Sequence, residues 1–168
     1  MRRSHLLLTL ASVVVVGCST ELSVRARAEV EQAVQAQMDI WVRAMNNMDL
    51  DSLLALHNPV PELTVIWADG TVAHGWDEEK ELHEQAFQGV DRVNFGVQNV
   101  EIQVLSRDIA LVIFRHSTDV ILADGERGTP TAGFVSMVWT EDPADGEWKI
   151  LMEHHSVRPP AGSSDSGS

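Results

Sequence analysis

The chain has 168 residues, with 12 Lys+Arg against 25 Asp+Glu and a formal net charge of −13 at pH 7. That balance repels phosphate backbones, so nucleic acid is not expected as a partner. Cys18 is the only cysteine and tyrosine is absent, which excludes an internal disulfide and any phenolic acid–base group.

The opening MRRSHLLLTLASVVVVGCST places two arginines before an apolar run from Leu6 to Val16 and a small residue before Cys18. This is the layout of a secretory signal peptide, with an apolar run too short to span a bilayer. Val15-Val16-Gly17-Cys18 resembles the bacterial lipobox, whose cysteine is lipidated and becomes the mature N-terminus. The resemblance implies a signal peptide over 1–17 and a tether over 18–27. It also implies a cell-envelope location, with attachment to the membrane through lipid on Cys18. Ser19 favours the periplasmic face of the outer membrane if the source is Gram-negative.

From Arg27 to Met48, apolar residues recur at Val30, Val34, Met38, Trp41, Met45 and Met48, one face of a long helix. Asp49 or Asp51 caps a short helix over Leu50–His57, which Asn58-Pro59 stops. His57 then reads as a C-terminal residue favoured by the helix dipole. Leu63–Trp67 alternates as a strand, and Ala68-Asp69-Gly70 turns it into Thr71–His74. Asp77 is placed to cap a third helix reaching Gln88, with Leu82, Ala86 and Phe87 as its apolar side. Its run Asp77-Glu78-Glu79-Lys80-Glu81 reads as a solvated first turn, and His83 as either surface or pocket lining.

Strands follow. Val93, Phe95 and Val97 share one parity and Val100, Ile102 and Val104 the other, which predicts a bulge near Gln98-Asn99. Ile109–Leu122, Thr131–Thr140 and a last strand from Trp148 complete the pattern, and the tail over 158–168 is Gly/Ser-rich. The order predicts an α+β fold over 28–157: a cone-shaped, curved antiparallel sheet wrapped around a long N-terminal helix, with a pocket between them.

Several local features carry a family resemblance. They are Trp41-Val-Arg-Ala-Met with Asp49-Leu-Asp-Ser-Leu-Leu-Ala-Leu, Thr64-Val-Ile-Trp with Asp69-Gly, and Gly75 ahead of the third helix. Arg107-Asp-Ile-Ala and Gly146-Glu-Trp-Lys-Ile with His154-His155-Ser156 complete the set. In this order they resemble the nuclear transport factor 2-like superfamily, in its SnoaL-like and calcium/calmodulin-kinase association-domain-like branches. The resemblance implies the cystatin-like cone and a homodimer through the outer sheet face, but not one function, because the fold hosts enzymes, binding modules and assembly modules.

The last strand poses the sharpest question. His154 shares parity with Trp148, Ile150 and Met152, and His155 with Lys149 and Glu153. Unbroken alternation therefore points His154 into the pocket and His155 out. His154 is then either a hydrogen-bonded core histidine or a general base. His116, in phase with Val112 and Phe114, can approach it. Asp69 is a candidate acid–base partner of His154, although its place in an Asp-Gly turn also explains it. Trp41, Trp67, Phe87, Phe114, Trp139 and Met152 are the candidate pocket walls. Two histidines near Asp69, Asp119 or Glu153 could in principle ligate a metal, but no spacing matches a metal motif, so neither metal nor cofactor is expected. Without tyrosine, ketosteroid isomerase-like chemistry lacks its usual oxyanion donor, and an epoxide-hydrolase-like Asp–Arg–Asp group is missing because Arg115 points opposite to His116. Three functions stay open: binding of a small, largely apolar molecule; a cyclase, isomerase or hydrolase with His154 as base; and a dimeric assembly module.

Overall fold

A computed structural model describes residues 22–158; the lipobox with Cys18 and most of the Gly/Ser tail lie outside the described residues. The elements in order are α1 (Val24–Asn47), α2 (Leu50–Ala55), β1 (Thr64–Ile66), β2 (Val72–His74), α3 (Trp76–Phe87), β3 (Val90–Val104), β4 (Ile109–Leu122), β5 (Thr131–Glu141) and β6 (Trp148–Val157). Among the described residues no helix is long and apolar enough to cross a membrane.

Helix α1 starts at Ser23, whose hydroxyl accepts from the Ala26 amide, and ends at Met48 in the left-handed conformation. Its buried stripe is Val30, Val34, Met38, Trp41 and Ala44, the face its apolar spacing dictates. Both ends are fastened to the sheet edge. Arg27 donates to the Val104 carbonyl at 2.9 Å, and the Asn46 amide exchanges hydrogen bonds with the backbone of Phe95 at 3.0 and 2.8 Å.

The six strands form one curved sheet in the order β2-β1-β6-β5-β4-β3. Every neighbouring pair is antiparallel except β1 and β6, which run parallel, with Ile66 opposite His154. This α+β cone is the fold the sequence implies. The main core lies between α1 and the inner face of β3–β6, where Phe114, Val135, Met137, Trp139 and Ile150 are at most 1% exposed.

Two of the sheet's register shifts bear on the site. The first interrupts β3 between Gln98 and Glu101 against β4, with Asn99 at φ 54°, where the parity switch requires it. The second falls between β5 and β6. Trp139 pairs with Ile150 but Val138 pairs with Met152, so Leu151 is an extra residue with no partner opposite. Since alternation has a period of two, one extra residue reverses every side chain beyond it. Trp148 and Ile150 point inward as expected, yet beyond Leu151 the inward residues become Glu153 and His155.

Helix α3 also departs from its expected face. It begins at Trp76 after Gly75, whose φ of 81° suits glycine, and not at an Asp77 cap. Glu78 reaches back to accept from the His74 amide at 2.8 Å. The buried residues of the helix are Glu79 and His83, four apart and therefore on one face.

Candidate functional site

A cavity of about 280 Å³ opens between α1, α3 and the inner sheet face, near the small end of the range for ligand pockets. Its apolar wall includes Trp41, Trp67, Phe87, Val93, Phe95 and Val120. Trp41 meets Phe95 edge-on with ring centroids 5.2 Å apart. The polar wall holds Glu79, His83, His116, Glu153 and His155, with no lysine or arginine among the described lining residues.

The polar wall forms because three elements converge on β6. The chain leaving α2 pairs with β6: the Ile150 amide donates to Leu56 and the Asn58 amide to Ile150. That pairing seats His57, 1% exposed, behind the strand. Its Nδ1 lies 3.1 Å from the Leu53 carbonyl and its Nε2 3.2 Å from Glu153 Oε2. A carbonyl and an ionised carboxylate both accept, so both ring nitrogens are placed to donate, an arrangement that favours the imidazolium form of His57. Burial pushes its pKa down, but the hydrogen bond and charge of Glu153, with Glu79 beyond, more than offset this and raise it.

Glu153, 2% exposed, accepts from His57 through one oxygen and forms a short, close contact with His155 Nε2 through the other. Burial pushes its carboxyl pKa up, yet the charge and hydrogen bond of His155, followed by those of His57, hold it far below the ordinary carboxylate range. With Nε2 engaged, Nδ1 is the free nitrogen of His155, without a hydrogen-bond partner among the described residues, on a ring lining the cavity. Its ring lies 6.3 Å from that of Trp41 and 6.1 Å from that of His116.

Helix α3 supplies a second carboxylate–histidine pair. Glu79 is fully buried and its Oε2 accepts from the Trp67 indole at 3.1 Å. His83 Nδ1 donates to the Glu79 carbonyl at 3.3 Å. Glu79 Oε1 is only 2.7 Å from the same nitrogen but out of line with its N–H, so this oxygen has no aligned donor among the described residues. It also lies 4.0 Å from His57 Nε2. Thus His83, Glu79, His57, Glu153 and His155 form one buried cluster drawn from α3, the end of α2 and β6.

The sequence-derived candidates sort as follows. Trp41, Trp67, Phe87 and His116 line the cavity. His116 is held in place, with Nε2 3.2 Å from the Ser156 carbonyl, Nδ1 3.3 Å from the Thr118 hydroxyl, and its ring stacked on Phe95. Burial pushes its pKa down, against the pull of the Ser156 carbonyl and with a further push from His155. Phe114 and Trp139 are sealed in the core, 1% and 0% exposed, so they back the pocket without lining it. His154 and Met152 require correction: the Leu151 bulge turns both to the outer face, opposite Ser136 and Val138. Asp69 is also displaced from the site. It is exposed in its turn and accepts from the Thr71 amide at 2.9 Å, an interaction that lowers its pKa. Among the described residues no three His, Cys, Asp or Glu side chains are arranged to hold a metal.

Sequence reasoning missed Glu79 and His57 as site residues, weighed Glu153 only as a metal partner, and placed His155 outside. One signal was available: Glu79, His83 and Phe87 recur every fourth residue on α3, a mixed stripe as regular as the apolar one.

The comparisons with known proteins agree with this architecture. A model of the SnoaL-like domain matches residues 34–160. The chain belongs to the SnoaL-like family. A nuclear transport factor 2-like protein from Salmonella enterica superposes with a TM-score of 0.72 at 19% identity, covering 84% of this chain and 99% of that one. A protein provisionally named a scytalone dehydratase, from Novosphingobium aromaticivorans, gives 0.70 at 16% identity, covering 82% and 89%. A provisional calcium/calmodulin-dependent protein kinase II association domain from Xanthomonas campestris gives 0.64 at 16% identity, covering 76% and 86%. At these identities the likeness concerns the fold of a SnoaL-like domain and not its chemistry. The comparison with curated proteins returns no match.

Proposed function

We propose that this SnoaL-like domain binds a small, largely apolar molecule in its cone and that His155 exchanges a proton with it. One observation carries the reading. A cavity with an aromatic and aliphatic wall facing a polar one holds a histidine whose far nitrogen is fixed by the buried carboxylate of Glu153 while its near nitrogen is free. A carboxylate behind an imidazole sets its orientation and stabilises its charged form, which is what a general base requires. The role assigned to His154 from the sequence therefore passes to its neighbour. The description of one fold neighbour as a dehydratase is compatible with proton-transfer chemistry in such a cone.

In the same reading the domain is attached to the cell envelope through lipid on Cys18, at the periplasmic face of the outer membrane if the source is Gram-negative. A second copy covers the outer sheet face, where Leu111, Ile113, Val138 and Met152 are half-buried and Phe134 is 46% exposed. Contiguous apolar surface of this kind favours association.

Binding is tested with N-phenyl-1-naphthylamine, an uncharged apolar fluorophore. Its emission should rise saturably with the native protein. It should fail to do so with Ala86→Trp, which fills the cavity mouth from an exposed position on α3. Equal, non-saturating emission with both proteins would contradict the binding reading.

A further inference from the structure

The two ends of the cone differ. One end gathers the start of α1, the β3–β4 turn and the β5–β6 turn. There Arg27 donates to the Val104 carbonyl at 2.9 Å. The amides of Leu105 and Ser106 donate to Ile109 to close the β3–β4 turn, and the Glu141 amide donates to Asp108 at the end of β5. This end carries the two most exposed large apolar side chains among the described residues, Val24 at 87% and Leu105 at 60%. Val24 lies one helical turn ahead of Arg27 and Leu105 follows Val104, so the Arg27 hydrogen bond keeps the pair at the same end. Leu22, just ahead of α1, packs against the core and fixes where the chain enters.

The cavity lies at the other end. Each element that lines it does so with residues remote from the first end: Met45 late in α1, Val93 early in β3, Val120 late in β4, Thr131 at the start of β5 and His155 late in β6. At a rise of about 1.5 Å per residue, Met45 stands about 30 Å along α1 from Val24. Covalent geometry ties the first end to the anchor. Leu22 follows Cys18 by four residues, and a chain reaches at most about 3.6 Å per residue, so the two lie within about 14 Å of each other. That reach is about half the distance to the cavity, so lipid on Cys18 cannot set the cavity end against the bilayer.

A side-on or an end-on attitude remains, and the exposed apolar pair favours the second. Charge does not select this surface, since Arg25, Arg27 and Arg107 stand among Glu29 and Asp108, and Lys149 is paired with Asp142 and Asp145. What fits it to a bilayer is the apolar area of Val24 and Leu105, withdrawn from water among the headgroups, with flanking arginines suited to lipid phosphates.

We propose that this end of the domain rests on the bilayer that holds its lipid, with Val24 and Leu105 seated among the headgroups, and that the cavity mouth faces away from the membrane. The inference rests on the reading that Cys18 is lipidated and specifies what that attachment does. Its consequence is a direction of traffic: the small molecule reaches the cone from the aqueous side, about 30 Å from the anchoring bilayer, and not directly out of that bilayer.

The test uses the mature lipoprotein in vesicles of phosphatidylethanolamine and phosphatidylglycerol that contain nitroxide-labelled lipid. Cys18 is the only native cysteine, and in this reading its sulfur carries the lipid. An environment-sensitive fluorophore is therefore placed through Val24→Cys, Leu105→Cys or Ala86→Cys, each an exposed position where substitution costs little. Relative to vesicles without nitroxide, the probes at 24 and 105 should lose most of their emission, whereas the probe at 86, on the cavity rim, should lose none. Protein that floats with the vesicles but leaves 24 and 105 unquenched, or quenches 86, overturns the proposal and leaves lipid attachment standing. Protein that fails to float with the vesicles rejects lipid attachment and the proposal with it.

Discussion

Replacing Glu153 by glutamine removes the charge at the centre of the cluster while keeping the shape of the side chain. Glu153 is 2% exposed and contacts His57 at 3.2 Å as well as His155. Removing one partner of a buried ion pair costs about 3–5 kcal/mol, because the other charge stays buried without compensation. The glutamine oxygen can still accept from one ring, so about 3 kcal/mol is expected. Against a typical domain stability of about 5–15 kcal/mol, that is a large fraction. With a urea m-value of about 1–3 kcal/mol/M, the midpoint should fall by about 1–3 M. The pH dependence adds an independent check. Glu153 is lowered, so its contribution is present above an unfolded carboxyl value of about 4.3 and lost only in strong acid, as pH falls through the folded value. His57 is raised, so its contribution is full below an unfolded value of about 6.5 and lost as pH rises through its folded value. Both are therefore complete between about pH 4.3 and 6.5. Above that window the native protein should lose up to about 1.4 kcal/mol per pH unit. The glutamine variant should lose less, because Glu153 no longer holds the proton on His57. Urea melts of both proteins from pH 5 to 9 measure both effects. A loss below about 1 kcal/mol, or the same alkaline slope in both proteins, would refute the ion-pair reasoning.

Other outcomes follow from the same geometry. His155→Ala should cost about 1–3 kcal/mol by leaving a Glu153 oxygen unpaired in a buried site, whereas His154→Ala, on the outer face, should stay within about 0.5 kcal/mol. The opposite order in chemical melts would mean that β6 has no bulge at Leu151. Radiolabelled palmitate should enter the native precursor and not Cys18→Ala, and label retained in the variant would reject lipid attachment at that residue. Light scattering should return a dimer mass at micromolar concentration, reduced to the monomer by Met152→Lys on the outer sheet face; a native monomer would exclude the paired assembly.

Much of the fold is legible in the sequence because its signals are periodic. The buried stripe of α1 and the parity switch at Gln98-Asn99 both follow from spacing alone, and both occur where spacing puts them. The site is less legible for two physical reasons. Ile150-Leu151-Met152 is three apolar residues in succession, so an extra residue among them leaves no break in hydropathy, although it reverses all that follows. The register against β5 reveals it, and register is a relation between strands. In α3, Glu79 and His83 lie on the buried face because a partner from elsewhere in the chain meets them both: the Trp67 indole donates to one carboxylate oxygen and its ring packs against the imidazole. Taken locally, Asp77-Glu78-Glu79 looks solvated, since burial of a charge depends on partners that local pattern does not contain.

The central claim is that the Leu151 bulge turns His155 into the cavity with His83 while His154 faces outward. Saturating histidine-labelled protein with N-phenyl-1-naphthylamine and following the assigned imidazole resonances tests it most directly. The account predicts that the His83 and His155 signals move with fluorophore concentration while those of His154 and His74 stay fixed. A shift at His154 with His155 unmoved would contradict it.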